Sequence, residues 1–236
     1  MNKQDFKIRA LPKVTKKESK IPSNLPQNNV IFVAPSNSGK TTLIVNLIMR
    51  KKFGYIQEYD EIHIFSPTLY LDDSWNIVLE YTRMKKPRKS YSDIYLTDEY
   101  DEDQIEGIFI NQENKEKDER KKVLIILDDV ADVLSSSNSL LKKVFFKGRH
   151  YNISCWISTQ SYKAIPRGVR INSPSFIFLN INPNEKRMIS EELAKEERST
   201  FEDKLMRCLN EKYSFLYLNM KTDIPKMYCK NFTEYF

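Results

Sequence analysis

Apolar residues come in short dense runs separated by polar stretches, and that spacing predicts strands alternating with helices. Val30-Ile31-Phe32-Val33 is too short for a helix and reads as a strand covered on both faces. Residues 60–65, 123–127, 153–158, 175–180 and 214–218 repeat that pattern. Between them apolar residues recur at helical spacing: Leu43 to Ile48, Leu140 to Phe145 within 139–147, and Phe201, Leu205 and Leu209 within 199–210. Helices are also expected from Asp72 to about Met84, over 185–195, and over 101–111, where Ile105, Ile108 and Phe109 share a face. Residues 92–96 predict a short strand. The alternation implies an α/β fold: a mainly parallel sheet flanked by helices.

The first strand runs into Ala34-Pro35-Ser36-Asn37-Ser38-Gly39-Lys40-Thr41-Thr42, and a helix follows. Strand, turn-rich loop, then Gly-Lys-Thr opening a helix is the layout of a phosphate-binding P-loop. Its backbone N–H groups and the helix dipole favour a polyphosphate. Lys40 can reach the β- and γ-phosphates, and the Thr41 hydroxyl can ligate Mg²⁺. The pattern departs from its usual form at Ala34, where the first Gly stands; a positive φ there carries a strain of roughly 1 kcal/mol.

Five consecutive apolar residues, 123–127, end in Asp128-Asp129. In a parallel sheet the strand's C-terminal end faces the ligand crevice, so the pair reads as a Walker B element. Asp128 can hold Mg²⁺ through a water, and Asp129 can orient or deprotonate an attacking water. The competing reading is helix capping by both aspartates. Gln160 ends the strand over 153–158; it lies at the crevice if that strand inserts between the other two, and otherwise caps a loop. Arg149 precedes the same strand and so sits at the opposite sheet end. It either pairs with a carboxylate or reaches a neighbouring subunit's nucleotide as an arginine finger. Arg167 and Arg170, in the basic loop 161–170, are further candidates for sensing a γ-phosphate or touching nucleic acid.

Composition narrows the class. The chain has 236 residues, 40% hydrophobic and 30% charged, which suits one α/β domain. No apolar run approaches the roughly 20 residues of a membrane span. Cys155, Cys208 and Cys229 are odd in number and widely spaced, so no disulfide framework is expected and a reducing compartment is the simplest setting. A net charge of +6 favours polyanionic partners, though weakly. The expected organisation is a basic N-terminal arm over 1–27, a P-loop domain over 28–220 and a tail over 221–236. Within the domain, 85–122 reads as a charged insertion or connector, starting at Lys85-Lys86-Pro87-Arg88-Lys89.

Ala34 to Thr42, Ser66-Pro67-Thr68, Leu127-Asp128-Asp129, Gly148-Arg149-His150 and Thr159-Gln160 occur in one order. That series resembles the poxvirus-type genome-packaging ATPases of large double-stranded DNA viruses and virophages, within the FtsK–HerA superfamily. The resemblance covers about residues 28–220. It implies a RecA-like core, ATP and Mg²⁺ as cofactors, and a homo-oligomeric ring, pentamer or hexamer, that drives double-stranded DNA into a capsid. It also implies capsid or portal-like partners and a place in the virion or a viral factory in the host cytoplasm. It assigns Lys40 and Thr41 to phosphate and Mg²⁺, Asp128 to Mg²⁺, Asp129 to water activation, Gln160 to sensing, and an arginine, first Arg149, to catalysis between subunits. Asp129 stands where the superfamily usually has Glu. Two other readings compete: a P-loop kinase of a small molecule or nucleotide, and an ATP-dependent interaction protein that does not hydrolyse.

Overall fold

The computed structural model describes residues 19–84, 91–130 and 139–235. Residues 1–18 of the expected arm and the basic stretch 85–89 lie outside them.

The apolar runs become strands and the helical-period segments become helices. In chain order these are β1 (Val30–Val33), α1 (Lys40–Met49), α2 (Tyr55–Glu58), β2 (Glu61–Phe65), α3 (Asn76–Arg83), β3 (Asp93–Thr97) and α4 (Glu102–Glu113). Then follow β4 (Val123–Leu127), α5 (Ser139–Lys147), β5 (Ile153–Thr159), α6 (Arg167–Asn172) and β6 (Ser175–Leu179). The last are α7 (Pro183–Leu193), α8 (Arg198–Cys208), β7 (Phe215–Asn219), β8 (Tyr228–Lys230) and β9 (Glu234–Tyr235). They form one sheet in the order β3-β2-β4-β5-β1-β6-β7-β8-β9. The six strands from β3 to β6 are mutually parallel; β7, β8 and β9 pair antiparallel. Strand β5 does insert between β4 and β1, as the Gln160 reading requires.

Alternate residues of the central strands feed two cores. Ile31, Val33, Ile125, Leu127, Cys155 and Ile157 face one side, where they meet α4, α5, α7 and α8 through Phe109, Val144, Ile189, Phe201 and Leu205. Val30, Phe32, Leu124, Ile126 and Trp156 face the other, against Ile44, Leu47, Ile48 and Tyr55 of α1 and α2. Strands covered on both faces need no polar alternation, which is why β4 reads as an unbroken apolar run.

Segments at the expected domain edges also pack on the body. Residues 20–27 dock on the body: Ile21 and Leu25 are buried, and Tyr55 Oη donates to Pro26 O at 2.7 Å. Gly54 enables this. Its φ is +80, and a Cβ there would lie 2.3 Å from Lys20 O. Within 85–122, β3 pairs with β2 along five residues and so belongs to the sheet. The expected tail supplies β8 and β9, because Met227, Tyr228 and Cys229 are buried there. No helix among the described residues is long and apolar enough to cross a membrane.

Candidate active site

The C-terminal ends of β1, β4 and β5 lie side by side, and their loops build one crevice. Residues Pro35 to Leu43, Thr68, Asp129 and Gln160 line a cleft of about 920 Å³.

Ala34 continues the β1 ladder, its N–H donating to Thr159 O at 3.0 Å. It is fully buried and is not among the residues with positive φ. The left-handed positions are Asn37 (φ 60) and Gly39 (φ 86), so the first Gly of the usual pattern is dispensable on backbone grounds. Gly39 caps α1 without a side-chain bond, leaving the N–H groups of the first turn for a ligand. Lys40 is buried, its Nζ 3.5 Å from Ala34 O and 3.7 Å from Asp129 Oδ1.

Asp128 is fully buried at the end of β4. Its Oδ2 accepts from Thr41 Oγ1 at 3.2 Å and from Ser66 Oγ at 3.4 Å; its Oδ1 accepts from Ser158 Oγ at 2.5 Å. Burial raises its pKa above the usual carboxylate value, against the Ser158 bond and the charge of Lys40, which pull it down. Asp129 turns away in the left-handed region (φ 54), and its N–H donates to Ser158 Oγ at 3.0 Å. Its carboxylate reaches the crevice and accepts from Gln160 Nε2 at 3.2 and 3.4 Å.

Lys40, Thr41, Asp128, Asp129 and Gln160 therefore converge. Arg149 does not join them. It is exposed in a 3₁₀ turn before β5, its Nε 3.4 Å from His150 Nε2. The length of β5, about 20 Å, separates it from this crevice. Among the described residues it makes no ion pair with a carboxylate, so the expected structural partner is not found. Arg170 is a correction: it is buried, pairs with Glu192 at 2.9 Å and donates to Ile165 O, so it is committed to the fold. Arg167 is exposed at the start of α6.

Sequence reasoning missed Ser158. Its one hydroxyl serves both Walker B aspartates, accepting from the backbone of Asp129 and donating to Asp128. A hydroxyl residue near the crevice end of β5, two positions before Gln160, was the available signal.

The profile of the family described as Poxvirus A32 protein matches residues 23–210. Uncharacterized protein L666 of Acanthamoeba polyphaga mimivirus is 26% identical over 194 residues, 81% of this chain and 73% of that protein. DNA packaging protein OPG160 of Variola virus is 27% identical over 153 residues, 65% of this chain. The match spans about half, 53%, of that poxvirus protein. Among solved structures, B204, the DNA-packaging ATPase from Sulfolobus Turreted Icosahedral Virus, superposes with a TM-score of 0.60. That alignment covers 87% of this chain and 97% of B204 at 15% identity, a likeness of fold. With a P-loop, a Walker B pair and a family profile spanning most of its length, this chain belongs to the Poxvirus A32 protein family.

Proposed function

We propose that this chain is the ATPase of a viral DNA-packaging motor, hydrolysing ATP in the β1–β4–β5 crevice to move double-stranded DNA into a capsid. The observation that carries the reading is the meeting of Thr41 and Asp128, hydroxyl to carboxylate at 3.2 Å, with Lys40 and Asp129 beside them. Two hard oxygen groups at this spacing suit a small divalent cation. Mg²⁺ is commonly held by one or two protein oxygens plus phosphate and water, so Thr41 and Asp128 fit it. When bound, it neutralises charge on the phosphate oxygens. Lys40 and the N–H groups of the loop bind the triphosphate. Asp129 orients the attacking water and takes its proton, and Gln160 fixes the Asp129 carboxylate.

The DNA substrate rests on what the Variola virus relative and B204 are named for, and on the net positive charge of the chain. The ring rests on Arg149. It is exposed, lies at the wrong sheet end for its own nucleotide, and suits a neighbour's site. A heterologous contact between copies that closes gives a ring, for which the family resemblance implies a pentamer or hexamer. Capsid or portal-like proteins are the partners of such a ring, in the virion or a viral factory.

The test is ATP hydrolysis with and without duplex DNA, alongside the particle mass in solution. DNA-stimulated turnover by a ring is expected. Absence of hydrolysis under both conditions overturns the reading.

A further inference from the structure

The crevice extends beyond the phosphate loop. It follows α1 past Thr42 and Leu43 to Asn46, and Leu179, Tyr213 and Phe215 wall its far side. We propose that this arm is the nucleobase subsite, in which Tyr213 stacks on the base and Asn46 reads its edge, selecting adenine. The inference rests on the reading of residues 34–42 as a triphosphate loop.

Tyr213 is 60% exposed and holds a left-handed backbone (φ 66), an unfavourable state for a bulky residue. Its neighbours fix it there. Ser214 Oγ donates to Glu211 O at 2.6 Å, closing the turn, and Lys230 Nζ pairs with Glu211 at 2.8 Å. The ring edge lies against Gly39, where a Cβ would come within 3.1 Å of Tyr213 Cδ1. An aromatic face is thus held open to solvent beside the loop that binds phosphate. The second ring, Phe215, is locked by an edge contact with Phe232 at 4.7 Å and by its N–H bond to Asn231 Oδ1 at 3.0 Å.

A nucleotide has an anionic end and a planar aromatic end. Lys40 fixes the first. Asn46 is six residues further along α1, about 9 Å by helix rise, on the same cleft. Its side-chain amide is partly exposed and has no hydrogen-bond partner among the described residues. A carboxamide offers an NH₂ donor group beside a carbonyl acceptor. Adenine presents an amine donor beside the N7 acceptor, whereas guanine presents two acceptors there. The amide therefore favours adenine, and Tyr213 supplies sequence-tolerant stacking.

The test measures binding of ATP, GTP and inorganic tripolyphosphate, each with Mg²⁺. The proteins are the wild-type chain, Tyr213→Asn, which tolerates the left-handed backbone, Tyr213→Phe and Asn46→Ala. Wild type should bind ATP more than about tenfold tighter than tripolyphosphate. Tyr213→Asn should lose about tenfold for ATP and nothing for tripolyphosphate, with Tyr213→Phe restoring binding. Asn46→Ala should bring GTP close to ATP. Equal wild-type affinity for ATP and tripolyphosphate overturns the subsite while leaving the phosphate loop intact. Equal loss of both ligands in Tyr213→Asn also overturns it, since Tyr213 would then act only through Gly39. If wild type binds neither ligand, the phosphate-loop reading fails and takes the subsite with it.

Discussion

Lys40 Nζ stands 3.7 Å from Asp129 Oδ1, an ion pair that joins the P-loop to the end of β4. A bound triphosphate competes with Asp129 for the same ammonium group. Lys40→Ala should weaken ATP binding by about 10–100-fold, since charge-assisted bonds contribute roughly 1.5–3 kcal/mol. Titration calorimetry measures it. Undiminished affinity would mean the loop binds without its lysine.

Asp129→Asn keeps the shape and removes both the charge and the basicity. ATP affinity should hold or tighten, because a like charge leaves the phosphate site. Turnover should fall by about 10²–10⁴-fold, the range of a lost general base. Single-turnover hydrolysis distinguishes the two effects. Unchanged turnover would remove Asp129 from the chemistry.

Ser158→Ala deprives the Asp129 N–H and the buried Asp128 carboxylate of a shared partner. Stability should drop by about 1–3 kcal/mol in urea unfolding. Because Ser158 positions the aspartates without touching the nucleotide, kcat should fall while KM for ATP stays near its original value. A proportionate rise in KM would instead point to collapse of the phosphate loop.

Arg149→Ala should lose DNA-stimulated turnover while each subunit still binds ATP. Mixed with Lys40→Ala, which has an intact arginine and a dead nucleotide site, it should regain part of that activity. The mixture rebuilds some interfaces from two good halves. No recovery at any mixing ratio would return Arg149 to a local task in the turn before β5.

His63 gives a stability test away from the crevice. It is buried, stacks on Tyr95 at 4.6 Å and contacts Glu61 Oε2 at 3.2 Å. Burial lowers its pKa from the usual 6.5, with Glu61 opposing. The unfolded chain therefore binds this proton more readily. The contribution is complete above the unfolded pKa and is lost as pH falls toward and through the folded value. Unfolding midpoints measured between about pH 7 and about pH 5 should decline, and His63→Gln should flatten that decline. An identical slope in the variant would locate the sensitivity elsewhere.

The chemistry that was legible in the sequence lies in contiguous stretches. Residues 30–42 and 123–129 carry strand, turn and reactive groups in one run, so local pattern sufficed. Gln160 was legible once β5 was inserted between β1 and β4, a matter of topology. What escaped depends on partners distant in the chain. Ser158 acts on residues about 30 positions upstream. Arg170 looked available because Glu192, 22 residues on, is invisible to a local reading. Strands β8 and β9 are too short for a periodicity; β8 is marked as sheet by its pairing with β7, and the exposed β9 by its pairing with β8. Tyr213 and Asn46 share a cleft only because β7 reverses direction.

That reversal decides which end of the sheet Tyr213 occupies. Had β7 run parallel to β6, the loop after α8 would emerge at the far edge of the sheet. Running antiparallel, it brings Tyr213, two residues before its first, against Gly39. Helix α8 therefore ends five residues before the ring that packs on the phosphate loop. One aromatic side chain is where the C-terminal part of the chain meets the loop that opens α1.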